Sequence, residues 1–199
     1  MSVTVEPPAF ASFAELEREA LACTRCPLAT QGRTQVVFGT GDPAADLMFV
    51  GEGPGQEEDR RGIPFVGRAG QLLTRLVEGI GLTREDVYIA NVVKCRPPGN
   101  RDPLPIEIDT CRPFLEGQLD FIDPRVVVTL GNFATKLLLQ TKEGITKLRG
   151  REFPFREHAV LIPTLHPAAV LRNGGTALAN ARADFVKAKR ALARSQAAS

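Results

Sequence analysis

The 199-residue sequence contains no tryptophan, one tyrosine, two histidines and only four cysteines. It also lacks a run of about 20 apolar residues, the length that a membrane-spanning helix needs. Residues 1–8 carry acid and proline, where a secretion signal would be basic and then apolar. We therefore expect a cytoplasmic protein without a membrane partner. In that compartment four cysteines are more often metal ligands than disulfides.

The sequence also has little excess charge of either sign. Its formal net charge is +2, so composition alone does not indicate a nucleic-acid-binding protein. The basic residues are nevertheless clustered: Lys94, Arg96 and Arg101 lie close together, and a second group lies within residues 142–156. Such clusters either contact phosphates or form solvated faces. The length predicts a single domain over 1–199, with a flexible N-terminus at 1–11.

Apolar runs alternate with helical patterns along the chain. Strands are predicted at 47–50, 87–93, 126–130 and 158–163, with a shorter β-like run at 35–38, and helices at 13–22, 70–80, 105–122, 131–139 and 177–194. Ser12 and Glu15 form a capping box at the start of the first helix. This alternation predicts an α/β fold with a mostly parallel central sheet.

Three glycines and a proline fall within residues 51–55, directly after the apolar run 47–50. The pattern indicates a buried strand that ends in a loop. In open α/β sheets, ligands bind at the carboxyl ends of the strands. Glycine lets the main chain approach a flat or charged ligand because it has no Cβ. We therefore predict that residues 51–67 form one wall of an active site.

The four cysteines form one close pair, Cys23 and Cys26, and two distant single residues, Cys95 and Cys111. Four thiolates without a nearby histidine suit either a tetrahedral zinc ion or an iron–sulfur cluster. The alternative is a redox-active CxxC pair together with two buried core cysteines. The residues alone favour joint metal ligation with a structural role, and they leave zinc and iron–sulfur open.

Three polar or aromatic residues are candidates for ligand binding. Asn91 lies inside an apolar strand, where an unpaired amide costs about 1–3 kcal/mol, so it pairs either with the backbone or with the edge of a base. Phe65 follows Pro64 in the glycine-rich loop, where it either fills the core or stacks on a base. His166 lies just after the fourth predicted strand, before Pro167, and is either an ordinary packed histidine or a catalytic one. Because Glu52, Asn91 and His166 each lie at or next to the carboxyl end of a different predicted strand, we expect them to share one pocket.

With these motifs the chain resembles the uracil-DNA glycosylases of family 4, the iron–sulfur branch. The resemblance covers nearly the whole chain from Cys23 onward and rests on residues 51–55, 62–70 and 91–101 and on His166-Pro167. It implies a three-layer α/β/α sandwich around a four-stranded parallel sheet. It also implies a four-iron four-sulfur (4Fe-4S) cluster on Cys23, Cys26, Cys95 and Cys111, and hydrolysis of the N-glycosidic bond of deoxyuridine in DNA, the first step of base-excision repair.

The resemblance implies roles for individual residues. Phe65 would stack on the flipped uracil, Asn91 would read its N3–H and O4, and His166 would hydrogen-bond its O2. Main-chain N–H groups around Glu52 and Gly53 would help His166 to stabilise the negative charge at O2. The Glu52 side chain would position the attacking water. DNA contacts would come from Lys94, Arg96, Arg101, Leu171 and Arg172, with residues 170–172 as the wedge that fills the vacated stack.

Two positions depart from the related pattern. Other glycosylases of the superfamily carry an aspartate where this chain has Gly53, and the family often has serine where this chain has Ala168. Two other classes of protein stay open: a non-catalytic nucleic-acid-binding module associated with a DNA polymerase, and a metal-dependent redox protein. A monomer is expected.

Overall fold

The computed structural model describes residues 10–197 and contains one six-stranded sheet. In the order β1-β3-β2-β4-β6-β5, the four inner strands are parallel and the two edge strands are antiparallel to their neighbours. The strands are β1 (Thr40–Gly41), β2 (Leu47–Gly51), β3 (Tyr88–Asn91), β4 (Val126–Leu130), β5 (Phe153–Phe155) and β6 (Ala159–Thr164).

The expected sheet of four strands is therefore corrected to six. The inner four were predicted because each is a continuous apolar run, as expected of strands buried on both faces. The edge strands β1 and β5 have only two and three residues, too few to leave a periodic pattern. The short β-like run predicted at 35–38 is not a strand; the edge strand begins instead at Thr40.

Helices cover both faces of the sheet. They are α1 (Phe13–Leu21), α2 (Gln56–Arg61), α3 (Arg68–Glu78), α4 (Pro105–Ile122), α5 (Asn132–Leu138), α6 (Ile145–Leu148), α7 (Pro167–Asn173) and α8 (Gly175–Ala197). Short 3-10 turns occupy Pro27–Ala29 and Pro98–Asn100. The Ser12 half of the predicted capping box is confirmed, because its hydroxyl accepts from the N–H of Glu15. The Glu15 carboxylate accepts from the N–H of Ala11 instead of that of Ser12.

Alternating side chains of the central strand β2 build the two halves of the core. Phe49 points to the face covered by α3 and α8, where its ring stacks on Phe185 with centroids 5.3 Å apart. Met48 and Val50 point to the opposite face, which α1 and α4 cover with residues such as Leu16 and Phe114. Each such buried side chain contributes about 1.5–3 kcal/mol. The three-layer α/β/α arrangement is thus confirmed.

The parallel inner strands all end at the same edge of the sheet. Gly51 ends β2, Asn91 ends β3, Leu130 ends β4 and Thr164 ends β6. Since β3 lies on one side of β2 and β4 on the other, the loops after these strands part at this edge and leave room for a cleft. Most of the flexible N-terminus predicted at 1–11 lies outside the described residues. Within residues 10–197 no helix is both long and apolar enough to cross a bilayer.

Candidate active site

A cleft of about 810 Å³ opens at the carboxyl edge of the sheet. Its lining brings together all five residues predicted to bind the ligand: Glu52, Gly53, Phe65, Asn91 and His166. They come from the ends of three strands and from the loop between α2 and α3. The predicted meeting of these side chains in one cavity is therefore present in the fold.

Gly51 lets Phe65 and Asn91 approach each other closely. A Cβ atom on Gly51 would lie 2.4 Å from Asn91 Oδ1 and 2.5 Å from Phe65 Cζ, closer than atoms can pack. The aromatic ring and the amide thus meet over the bare main chain at the end of β2. Only glycine at this position allows that arrangement without a shift of both side chains.

The backbone of Phe65 is held in an uncommon conformation. Its φ is 53°, in the left-handed region that residues with a Cβ rarely adopt. The Arg84 guanidinium donates to the carbonyl oxygens of Pro64 and Phe65 over 2.7 and 3.1 Å. On the other side, the Glu58 carboxylate accepts from the N–H groups of Val66 and Gly67, each over 2.9 Å. These contacts offset the backbone strain and fix the ring in the cleft wall.

Asn91 carries an unpaired acceptor. The residue is 1% exposed, and its Oδ1 is a buried side-chain oxygen without a hydrogen-bond partner in the part of the chain that the structure describes. Leaving such a group unpaired costs about 1–3 kcal/mol. Because Asn91 also lines the cleft, a ligand with an N–H group would satisfy this oxygen. Within residues 10–197, no backbone group donates to Oδ1, so the alternative of a backbone partner is not realised.

His166 is held as a neutral donor. Its Nδ1 accepts from the N–H of Ala168 over 3.1 Å, at the start of α7. Burial, with a smaller contribution from the Arg172 charge, lowers the pKa of His166 to about 4. The neutral ring with Nδ1 as acceptor carries its proton on Nε2. His166 lies against Gly131, and its ring centroid is 5.9 Å from that of Phe65.

Glu52 has an environment that favours proton uptake. Burial, and then the nearby Asp102 charge, raise the pKa of its carboxyl group above the ordinary value of 4.5. Its main-chain oxygen accepts from the N–H of Val93, so the segment after β2 stays paired with the segment after β3. Asp102, which also lines the cleft, was missed by the sequence reasoning because it belongs to no strand end.

Positive charges line one part of the cleft. Of the predicted DNA contacts, Arg101 and Arg172 line it, while Arg96 and Leu171 do not. Arg101 also forms an ion pair of 2.6 Å with the buried Glu107, which lowers the pKa of that carboxyl. Two exposed cations, Arg68 and Lys136, line the cleft without having been predicted. Arg68 starts α3 and Lys136 lies in α5, so only the fold brings them here.

The prediction that Lys94 contacts DNA is wrong. Its side chain is 1% exposed, and its ammonium donates inward to the main-chain oxygen of Asn91 and to the Gln118 side chain. Burial lowers the pKa of Lys94 to about 8, so it remains a cation at neutral pH. The sequence placed it in a basic run, but it lies in a continuously buried stretch, residues 87–95, that extends past the end of β3.

The four cysteines are free thiols that line a second, smaller cavity together with Lys94 and Arg33. Arg33 donates to Cys95 Sγ over 2.9 Å, and the N–H of Lys94 donates to Cys111 Sγ over 3.3 Å. Burial raises the pKa of Cys95, and that of Cys111 to about 11. The Arg33 guanidinium and the Lys94 N–H thus donate to two of the four sulfurs, which suits a bound group that holds them as thiolates.

No set of three or more Cys, His, Asp or Glu side chains within residues 10–197 is arranged to hold a metal ion. The shared cavity is therefore the feature that relates the four cysteines.

Comparison with known proteins agrees with this geometry. The sequence model of the Uracil DNA glycosylase superfamily matches residues 38–193. A type-4 uracil-DNA glycosylase of Sulfurisphaera tokodaii is 46% identical over 81% of this chain and 77% of its own length. One of Thermotoga maritima is 51% identical, over 76% of this chain and 79% of its own. One of Archaeoglobus fulgidus is 43% identical, over 80% of this chain and 83% of its own.

Proposed function

The chain belongs to the Uracil DNA glycosylase superfamily, and we propose from this that it is a type-4 uracil-DNA glycosylase. It hydrolyses the N-glycosidic bond of deoxyuridine in DNA, releases uracil and leaves an abasic site, which begins base-excision repair. The observation that carries the proposal is the unpaired Oδ1 of Asn91, a residue that lines the same cleft as an aromatic ring and a neutral imidazole.

Base recognition rests on Asn91 and Phe65. The Asn91 Oδ1 accepts from uracil N3–H, and its Nδ2 donates to uracil O4. Cytosine has an acceptor at N3 and a donor at C4, so both contacts would be mismatched, which is a strong basis for rejection. The Phe65 ring supplies the stacking surface, a contribution of about 1–3 kcal/mol per base. The restraints on residues 64–67 keep that surface in place before the base arrives.

Leaving-group stabilisation rests on His166. As the N1–C1′ bond breaks, the electron pair goes to the uracil ring and negative charge develops at O2. The Nε2–H of His166 donates to that oxygen, and main-chain N–H groups at Glu52 and Gly53 assist. A donor fixed in advance in a buried site stabilises such charge without reorganisation at the moment of reaction.

Water activation is assigned to Glu52. In its ionised form the carboxylate accepts a proton from the water whose oxygen bonds to C1′. The raised pKa of this group brings its proton affinity closer to that of a general base acting near neutral pH. Gly53 supplies no carboxylate. Of the other acids that line the cleft, Glu57 pairs with Arg60 and Glu58 accepts from the N–H groups of Val66 and Gly67. Glu52 and the more exposed Asp102 are the two that remain.

The base reaches this cleft only after it leaves the stack, at a cost of a few kcal/mol. Arg101 and Arg172 at the cleft, with Arg96 beside it, hold the phosphates, and Arg68 and Lys136 extend this cationic lining. The exposed Leu171 fills the vacated stack. Ala168 offers no hydroxyl to a phosphate, so Lys136 and Arg172 carry that part of the contact. We expect the enzyme to act as a monomer in the cytoplasm.

The cysteines Cys23, Cys26, Cys95 and Cys111 hold a 4Fe-4S cluster in this proposal. Each thiolate of such a cluster binds a different iron atom, so the four sulfurs need not converge on one point as they must around zinc. The shared cavity and the two cations beside it support this assignment. When bound, the cluster supplies a structural crosslink between the segment after α1, the segment after β3 and α4.

The test is release of free uracil from a uracil-containing oligonucleotide by the wild type and by H166A and N91A. We expect His166→Ala to lose more than about 100-fold in rate, at the lower end of what an electrostatic stabiliser supplies. K189M, an exchange on the outer helix α8, serves as the matched control and keeps the wild-type rate. A wild type that binds DNA but releases no uracil would indicate a binding module. Wild-type rates in both H166A and N91A would remove the site assignment.

A further inference from the structure

Lys94 presents a buried cation to a main-chain oxygen of the candidate active site. Its Nζ lies 2.7 Å from the carbonyl oxygen of Asn91 and 2.5 Å from Oε1 of Gln118. Both acceptors are uncharged, and all three residues are at most 1% exposed. Lys94 therefore donates to the main chain of Asn91, the same residue whose side chain carries the unpaired Oδ1.

The main chain of Lys94 is fixed independently of its side chain. Its N–H donates to Cys111 Sγ over 3.3 Å, and its carbonyl oxygen accepts from the N–H of Val37 over 2.7 Å. Lys94 is thus attached to the cysteine cavity at one end and to the end of β3 at the other. A shift at either end would be transmitted to the other through this buried, hydrogen-bonded side chain.

The second acceptor of Lys94 is itself held in place. The Gln118 amide nitrogen donates to the carbonyl oxygen of Phe38 over 2.9 Å and to the Tyr88 hydroxyl over 3.2 Å. The amide oxygen is therefore turned toward the ammonium. In a low-dielectric interior a hydrogen bond from a cation is stronger and more directional than one between neutral groups.

We propose that Lys94 is a positioning residue, which fixes the Asn91 amide for base recognition and links it to the cysteine site. The inference rests on the proposed function, because it concerns the amide that reads uracil. A productive site must hold such a group within about 0.5 Å, and a residue at the end of a strand, such as Asn91, depends on its supporting contacts for that precision. When thiolates occupy the cysteine site, their negative charge supplies the counter-charge that keeps the ammonium buried.

A double-mutant cycle tests this role. K94M removes the ammonium and keeps a side chain of similar length. We expect uracil release to fall about 10-fold to about 100-fold, the size of effect that a misplaced group produces. In the N91A background the same exchange should change the rate less than about 2-fold, because the group that Lys94 positions is gone. K189M is the surface control. An equal fold-loss in both backgrounds would overturn the inference.

Two further measurements separate positioning from general destabilisation and from failure of the proposed function. Crystal structures of wild type and K94M should show the Asn91 amide displaced by more than about 0.5 Å relative to Gly51. An unmoved amide overturns the inference whether or not the wild type releases uracil, whereas an inactive wild type with a displaced amide overturns only the proposed function. If K94M fails to fold, Q118L, which frees one side of the ammonium, should give a smaller loss that again disappears in N91A.

Discussion

The Nδ1 atom of His166 accepts a hydrogen bond from the main-chain N–H of Ala168, 3.1 Å away. This contact decides which ring nitrogen carries the proton of the neutral imidazole, and it leaves Nε2–H as the donor. The first turn of α7 therefore sets the chemical character of a side chain that the sequence places only at a strand end.

The first prediction concerns pH. Burial, together with Arg172, lowers the pKa of His166 from 6.5 to about 4. His166 should stay neutral through the ordinary range, so its ring shows no titration near pH 6.5. A group with a depressed pKa in the folded state stabilises the fold above its ordinary pKa, and this stability is lost as pH falls toward about 4.

The measurement is a proton NMR titration of the H158Q variant, which leaves His166 as the one imidazole of the chain. Chemical denaturation at neutral and acidic pH, compared with H166Q, measures the linked loss of stability. A ring that titrates near its ordinary pKa would contradict the buried, neutral assignment.

The second prediction compares two buried amides. Asn91 has an unpaired Oδ1, whereas Gln118 is hydrogen-bonded at both its oxygen and its nitrogen. N91A should therefore cost the unliganded protein less stability than Q118A, by about 1–3 kcal/mol, since only the second exchange breaks existing bonds and leaves partners unpaired. At the same time N91A should lose at least about 10-fold in uracil release. Urea denaturation and the release assay measure the two effects, and a larger stability loss in N91A would refute the prediction.

The third prediction concerns the contact between Phe65 and Asn91 over Gly51. In G51A the new Cβ would lie about 2.4–2.5 Å from both side chains, so both must move. We expect a loss of uracil release with a stability cost of about 1–3 kcal/mol from overpacking. G175A is the matched control, because a Cβ there meets nothing within 4 Å. Wild-type kinetics in G51A would show that the closeness of the two side chains is not needed.

The fourth prediction concerns the cationic lining of the cleft. Lys136 and Arg172 are exposed and line it, so each should contact a phosphate. K136A and R172A should each reduce the slope of log affinity against log salt by about 1, and K94M should leave that slope unchanged. Fluorescence anisotropy with a labelled oligonucleotide between about 50 and about 200 mM salt measures it. An unchanged slope in both cleft variants would place the DNA elsewhere.

The fifth prediction concerns the cysteine site. Protein purified without oxygen should be coloured and contain iron and sulfide in equal amounts. C111S should lose colour and stability together, because this thiol links α4 to the end of β3. A193C, at an exposed position of α8, serves as a surface thiol control. Colourless protein with zinc bound would show that the four cysteines hold a single zinc ion and not a cluster.

The sequence predicted the inner sheet and the meeting of Glu52, Asn91 and His166 for one physical reason. Continuous apolar runs identify buried parallel strands, and parallel strands must end at one edge. The resemblance to known glycosylases then supplied the roles. The edge strands and α2 were missed, since two or three residues, or six polar ones, carry no apolar periodicity.

The wrong assignment of Lys94 and the missed Lys136 have a common cause. Charge in a sequence does not reveal which way a side chain turns, and that direction depends on packing between distant segments. Lys94 is buried because Gln118 of α4 and the carbonyl of Asn91 accept from it. Lys136 reaches the cleft because α5 begins directly after β4.

The cleft draws its wall residues from loops that follow β2, β3, β4 and β6, so neither half of the chain contains the complete cleft. Activity therefore requires the complete tertiary structure. On heating, the loss of activity and the unfolding of the sheet should occur in the same transition. A fragment that ends before β6 should have no activity.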